Sequence, residues 1–249
     1  MRGHMLPQVV ALALGTGALV LPVLSFSADF ESDKRDCSSG TGQVRINACT
    51  RLLRSGRFGA RNRATTYYNR GNAYSRLRQH RLAIQDYDAA LRLNPRKVEA
   101  YINRGFDRVF LKQYHQAIQD FDAGLRLNPR IAEAYLNRGV AYAALKQYRR
   151  AIQDFDETLR LSPRDPGAYI NRGNSYEALG RRAEAIRDYQ AALRFNPNHR
   201  GAREGLQRLS ANPRQRPRGA APSDTRPRCK DVGGYEAYMK RTGKVCRID

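Results

Sequence analysis

The sequence predicts an all-α solenoid built from four helical hairpins of 34 residues each. The prediction depends on a period of 34 residues between 64 and 199, on two phrases that recur once in each period, and on a proline that closes each period. A single hairpin of this size cannot bury its own apolar face, whereas stacked neighbours bury a continuous core. The four units span residues 64–97, 98–131, 132–165 and 166–199.

The first phrase, Tyr-x-Asn-Arg-Gly, predicts the first helix of each unit. In the first unit, Tyr67, Gly71, Tyr74 and Leu77 follow one another at steps of three or four residues, which is the spacing of one face of an α-helix. A residue as small as Gly71 suits a position where two helices approach closely. The phrase begins at Tyr67, Tyr101, Tyr135 and Tyr169.

The second phrase, Ala-Ile-x-Asp-aromatic, predicts the second helix of each unit. In the first unit, Ala83, Tyr87, Ala90 and Leu91 share one helical face. Proline lacks an N–H group and cannot continue a helix interior, so it marks the break before the next unit. The closing prolines are Pro95, Pro129, Pro163 and Pro197.

Together these phrases resemble the tetratricopeptide repeat, whose consensus places aromatic residues, Gly, Ala and Pro at set positions of 34 residues. The resemblance implies a right-handed superhelical solenoid with capping helices at both ends. Three residues depart from the consensus: Arg108 replaces a tyrosine in the second unit, and Gly124 and Thr158 replace an alanine. Looser packing is therefore expected in the second unit.

Both ends of the solenoid are predicted to be capped. Residues 46–53 resemble the second helix of a unit, with Cys49 at the aromatic position, so residues 29–63 are interpreted as a half-repeat. Residues 200–211 form a last helix, and a Pro- and Arg-rich linker (212–228) and a tail (229–249) follow. The last helix has an apolar stripe of Ala202, Leu206 and Leu209.

The first 28 residues are predicted to be a cleaved signal peptide. Arg2 precedes an apolar run over 9–24 that Gly15, Gly17 and Pro22 interrupt, and the small residues Ser25, Ser27 and Ala28 follow. A membrane-spanning helix needs about 20 apolar residues. An uncleaved anchor is the alternative. Export would place the protein in the periplasm or outside the cell, where disulfides persist.

The four cysteines lie outside the repeats, one pair at each end. Four cysteines allow three connectivities, and local pairing is favoured because each pair is close in sequence. Their spacing does not match a metal site, and the four histidines do not cluster. We therefore expect structural disulfides Cys37–Cys49 and Cys229–Cys246, with no metal and no cofactor.

The resemblance implies that the first helices line a concave surface. Repeat position 6 is Asn in every unit, similar to the asparagine ladder of the O-linked N-acetylglucosamine transferase superhelix, where amides bind a peptide backbone. An Asn amide both donates and accepts hydrogen bonds. Packing at the helix seam is the alternative role, and the tail (229–249) is an alternative occupant of the surface. The predicted peptide-binding residues are Asn69, Asn103, Asn137, Asn171, Tyr68, Ile102, Phe106, Leu136, Val140 and Ile170.

The net charge of +22 indicates anionic partners. Part of this charge lies in the repeats and part in the C-terminal region. Arg at repeat position 7 recurs with Asp at position 23, which predicts paired charges at the seam of each hairpin. An exposed pair of this kind contributes less than about 1 kcal/mol. The densest basic run lies in the linker and suggests weak contact with an anionic membrane surface. Nucleic acid is not predicted, because this run lacks aromatic residues for stacking on bases.

The sequence contains no catalytic motif, and its acidic pairs recur once per unit instead of forming one site. It therefore predicts a non-catalytic scaffold that binds a protein or an extended peptide in its concave groove. The alternative function is an envelope structural protein that contacts anionic lipid or cell-wall polymer through its cationic C-terminal arm.

Overall fold

The computed structural model describes residues 21–211, and the side chains of residues 29–210 within them. The described range contains eleven α-helices, which confirms the predicted all-α class. They are α1 (Leu21–Ser39), α2 (Gly42–Arg54), α3 (Ala60–Arg76), α4 (His80–Leu93), α5 (Val98–Phe110), α6 (Tyr114–Leu127), α7 (Ala132–Ala144), α8 (Tyr148–Leu161), α9 (Pro166–Ala178), α10 (Arg182–Phe195) and α11 (Arg200–Ala211).

The chain divides into two compact units, with the boundary between Pro163 and Arg164. In the first unit, helices α1 to α8 form four successive hairpins, and the second helix of each of the first three hairpins packs against the first helix of the next. In the second unit, α9 and α10 form a hairpin and α11 packs against α10. No helix within residues 21–211 is both long and apolar enough to cross a membrane.

A glycine and an aromatic ring meet at the centre of every predicted hairpin. Tyr87, Phe121, Phe155 and Tyr189 are fully buried. A Cβ atom added to Gly105 would lie 2.8 Å from Cε1 of Phe121, and the other hairpins show the same contact. Glycine therefore recurs in the first phrase because the ring of the second helix occupies the space of a side chain.

Replacing Gly105 by Ala is expected to lower the free energy of unfolding by about 2–3 kcal/mol, because the buried Phe121 ring has no room to move. Gly124→Ala is the matched control, since the nearest atom to its added methyl would be the terminal Cδ1 of Ile102, which belongs to a side chain and not to a buried ring. Urea denaturation followed by circular dichroism measures both. Equal effects of the two variants would show that helix propensity, and not the ring contact, dominates.

The N-terminal cap is a complete hairpin, so the predicted half-repeat was too short. Helix α1 packs along α2, and Arg51 on α2 donates two hydrogen bonds to Asp33 on α1. The structure joins Cys37 to Cys49, both buried, through a disulfide between the two helices. The sequence did not predict helix α1, because α1 contains no repeat phrase. It also begins before residue 28, the predicted end of the signal, and continues past it. The rest of that signal (1–20), the linker, the tail and both Cys229 and Cys246 lie outside the described residues.

The predicted seam ion pairs are confirmed, but they are buried and not exposed. Arg138 donates to both oxygens of Asp154 at 2.7 and 2.9 Å, and the Asp154 side chain is only 7% exposed. The same pair forms at Arg70–Asp86, Arg104–Asp120 and Arg172–Asp188. Burial opposes the charge of Arg138, but its contacts with Asp154 and Asp122 outweigh burial and raise its pKa. Because each carboxylate is withdrawn from water, these pairs are structural.

Seam arginines also connect neighbouring hairpins. Arg104 reaches back to Asp88 on α4 at 2.5 Å, and Arg138 reaches back to Asp122 on α6 at 2.6 Å. Arg70 makes the equivalent contact with the hydroxyl of Thr50 in the N-terminal hairpin. The acidic residue at repeat position 25 therefore joins one hairpin to the next.

Arg108, which replaces a tyrosine in the second predicted unit, contacts the seam carboxylate of that unit. Its guanidinium lies 2.7 Å from Asp120, so this carboxylate is held by two arginines. Its Nε atom is buried and has no hydrogen-bond partner within the described part of the chain. A lost tyrosine contact is thus replaced by a charged one.

Candidate functional site

A groove of about 290 Å³ opens on the first compact unit. Its walls come from the first helices of three successive hairpins, α3, α5 and α7, with one ring from α4. Polar and aromatic side chains predominate. The lining residues are Tyr68, Asn72, Ser75, Arg76, Tyr87, Asn103, Phe106 and Glu133.

Two amides and two tyrosines form a hydrogen-bond network in this groove. The Asn72 side-chain oxygen accepts from the Tyr87 hydroxyl at 2.7 Å and from Nδ2 of Asn103 at 2.8 Å. Asn103 also donates to the Tyr68 hydroxyl at 3.3 Å. Burial and the nearby Asp107 raise the pKa of Tyr87, so its hydroxyl remains a donor. The network joins α3 to α5 and fixes the orientation of the Asn103 amide.

The four predicted asparagines differ in their hydrogen bonds and in the compact unit to which they belong. Asn103 lines the groove and is hydrogen-bonded within it. Asn69 and Asn137 are half-buried on the same unit, and their amides make no hydrogen bond to any described residue. Asn171 is also half-buried, but it belongs to the second compact unit. The first unit therefore carries three of the four asparagines.

The predicted apolar contacts need a correction. Tyr68 and Phe106 line the groove, and Leu136 and Val140 are half-buried. Ile102 and Ile170 are only 5% and 9% exposed and belong to the core, so the prediction that they contact a peptide was wrong. For Ile102 the reason is local, since its Cδ1 fills the space that Gly124 leaves empty.

An aromatic pair extends the groove along α5. Phe106 and Phe110 are 36% and 54% exposed, and their ring centroids lie 4.8 Å apart in an edge contact. The His80 ring, at the start of α4, stacks on Phe110 with a centroid distance of 4.8 Å. Exposed neighbouring aromatic rings are typical of surfaces that bind protein side chains.

A buried carboxylate lies beside this aromatic pair, and sequence reasoning missed it. Asp107 is fully buried, and its Oδ1 accepts from the Ser75 hydroxyl at 2.8 Å and contacts Nδ1 of His80 at 2.6 Å. Its Oδ2 has no hydrogen-bond partner among the described residues. The available signal was a break in the repeat, because Asp107 stands where the first and third units have Ala73 and Ala141.

The second compact unit repeats part of this arrangement. The Tyr189 hydroxyl donates to Asn174 and to Glu177, both at 2.7 Å. Arg208 on α11 donates to Glu177 at 2.9 Å. Helix α11 thus contacts α9, the first helix of the preceding hairpin, through an ion pair. No cluster of metal-ligating side chains occurs within residues 29–210.

Comparison with known proteins gives a consistent result for the fold. The family model for the tetratricopeptide repeat matches residues 64–97 and 166–199, and a second model of the same repeat matches residues 107–168. A search of curated proteins gave no significant match.

Several solved structures share the fold. A crystal structure of MamA is 23% identical, with a TM-score of 0.61, over 69% of this chain and 91% of that one. MamA 41-end from Desulfovibrio magneticus RS-1 is 19% identical, with a TM-score of 0.62, over 70% and 96%. YrrB, described as a TPR protein with an unusual peptide-binding site, is 21% identical, with a TM-score of 0.59, over 75% and 88%. The family models together cover about half of the chain and coincide with the observed hairpins, and the chain belongs to the tetratricopeptide repeat family.

Proposed function

We propose that this protein is a non-catalytic scaffold that binds an extended peptide in the groove of its first compact unit. The observation that carries the proposal is the combination of an oriented amide, Asn103, with exposed aromatic rings at Phe106 and Phe110 on one helix. A peptide offers both kinds of group that such a surface binds, which are backbone amides and side chains.

The groove chemistry supports an extended backbone as the ligand. Asn69 on α3 and Asn137 on α7 lie on two of the helices that form the groove walls. Their half-buried amides make no hydrogen bond to any described residue, so they can pair with peptide N–H and C=O groups. The aromatic pair offers an anchor for one apolar side chain of the ligand. Arg76 on α3 and Glu133 on α7 carry opposite charges on different walls, which favours one direction of a bound peptide.

Two further observations support a scaffold. YrrB, which has the same fold, is described with a peptide-binding site. In addition, the acidic residues that recur in each unit are occupied at the seams and between hairpins, so they are not available as general acids or bases.

Selection of linear peptides from a random library against the immobilised full chain tests this proposal. We expect selected peptides whose affinity falls at least about tenfold in Phe106→Ala, the effect of losing one central aromatic anchor. Asn103→Ala is expected to weaken binding less, because its amide is shared with the internal network.

Leu82→Ala and Gln85→Ala are the matched controls, because both residues are exposed on α4 and neither lines the groove. They should leave the affinity unchanged. Peptides that bind all four variants equally would place the binding surface elsewhere and refute the groove.

We also propose that the protein is exported. The pairing of Cys37 with Cys49 supports this, because disulfides persist in oxidising compartments and are rare in the cytosol. Alkylation of free thiols in intact cells, followed by mass spectrometry, should find both cysteines protected and the chain shortened near residue 28. A full-length chain with alkylated Cys37 would contradict export.

A further inference from the structure

We propose that the contact between His80 and Asp107 makes the groove sensitive to pH: protonated His80 keeps the groove walls in place, and loss of its proton loosens them and weakens peptide binding. This inference rests on the proposed function, because it concerns the regulation of the same groove.

Both residues of this contact differ from the residues at the same repeat positions in neighbouring units. Asp107 occupies a position that is Ala73 and Ala141 in the neighbouring units, and His80 occupies one that is Tyr114 and Tyr148. The two changes lie in different hairpins and meet at 2.6 Å. A small residue and a tyrosine would pack here without a buried charge, so the pair is not needed for the fold.

The charge state of His80 decides whether Asp107 is compensated. A protonated imidazole brings a positive charge next to a carboxylate that is 0% exposed. A neutral imidazole still donates one hydrogen bond, but it leaves a buried negative charge whose Oδ2 has no partner within the described part of the chain. An uncompensated buried charge destabilises the structure that encloses it.

The pair touches the groove through two routes. Ser75 lines the groove and donates to the same oxygen of Asp107. His80 supports Phe110 by stacking, and Phe110 in turn contacts Phe106, which also lines the groove. Because α3, α4 and α5 each contribute one member of the cluster, a movement of the pair is transmitted to both the polar and the aromatic wall.

The other titratable and charged groups near His80 and Asp107 do not take part in the proposed response to pH. Tyr87 of α4 is the other titratable group coupled to Asp107, and its raised pKa keeps it neutral. On α5, Arg108 turns to Asp120, whereas Arg76 at the end of α3 and Arg81 on α4 are exposed. No other described carboxylate contacts His80.

The sign of the effect follows from both partners. Burial raises the pKa of the Asp107 carboxyl, and the hydrogen bonds from His80 and Ser75 only partly offset this. A carboxyl that binds its proton more tightly in the folded chain makes the fold less stable as the pH rises above its unfolded pKa. Loss of the imidazole charge leaves the buried carboxylate uncompensated, which acts in the same direction. Stability and affinity should therefore both fall with rising pH.

Two measurements on the full chain test the inference, at about pH 6 and about pH 8, on either side of the usual histidine range. In urea denaturation, the midpoint of the wild type should fall with rising pH relative to that of H80Y/D107A, which introduces the residues of the equivalent pair in the next two units, Tyr114 and Ala141. His115→Tyr removes an exposed histidine on α6 and should keep the wild-type pH dependence. Equal pH dependence in the wild type and H80Y/D107A would overturn the inference.

The second measurement uses a peptide selected on the groove. Its affinity for the wild type should fall about fivefold between the two pH values, the lower end of typical coupling between sites. Its affinity for H80Y/D107A should not change. A pH-dependent stability without a change in affinity would overturn the link to the groove. If selection yields no groove-binding peptide, the proposed function fails, and the denaturation result still decides whether the pair responds to pH.

Discussion

Replacing Arg138 by Met is expected to lower the free energy of unfolding by about 3–5 kcal/mol, the usual result of removing one partner from a buried ion pair. Arg138 is the cation for Asp154 within its own hairpin and for Asp122 in the preceding one. The variant keeps an unbranched apolar stem at this position but leaves the Asp154 carboxylate, 7% exposed, without a positive charge. Urea denaturation measures the loss.

Two comparisons separate this effect from a general loss of charge. Arg126→Met changes the net charge equally, but Arg126 is exposed on α6 and has no ion pair among the described residues, so we expect a change within about 0.5 kcal/mol. Arg104→Met should cost less than Arg138→Met, because Arg108 also contacts Asp120. If all three variants lose the same stability, the buried pairs are not the cause.

The variants of Asp107 and His80 should form a strongly non-additive cycle. His80→Tyr is expected to lower the free energy of unfolding by about 3 kcal/mol, because it leaves a buried carboxylate without the imidazole that contacts it. Asp107→Ala should cost about 2 kcal/mol, because it deprives the Ser75 hydroxyl and the His80 ring of their acceptor.

The double variant H80Y/D107A should be at least as stable as the wild type, since replacing a buried ion pair by packed residues is often stabilising by 1–4 kcal/mol in order of magnitude. The next two units have Tyr and Ala at the two equivalent positions, Tyr114 and Ala141. The four proteins are compared by urea denaturation at neutral pH. A double variant whose loss equals the sum of the single losses would show that the two residues do not act as a pair.

Repetition made most of the fold predictable. A residue that must fill the same place in four hairpins appears four times in the sequence, so Gly71 and Tyr87 and their equivalents could be assigned to a helix contact without coordinates. The matched recurrence of Arg70 and Asp86 predicted the seam pairs for the same reason. Their burial was not predictable, because the exposure of a charged residue depends on the neighbouring hairpin and not on its own spacing.

The groove was less predictable, because many of the residues that line it differ between units. Asn103 and Phe106, which the family pattern predicted at the concave surface, line the groove. Ile102 was placed there by the same pattern, yet it is buried, because Gly124 on the opposite helix leaves a space that only the Ile102 side chain fills. Such pairwise compensation between two helices cannot be recognised in either helix alone.

The sequence by itself determined the class of fold, the number and length of the repeats and the residues at their helix contacts, because periodic packing imposes a periodic sequence. The tertiary structure decided the features that occur once. It showed that the N-terminal cap is a complete hairpin containing Cys37 and Cys49, that Asp88 and Asp122 connect successive hairpins, and that Asp107 meets His80 beside the groove. The last of these joins residues 27 positions apart in different hairpins, and only the packing of those hairpins brings a buried acid to a histidine.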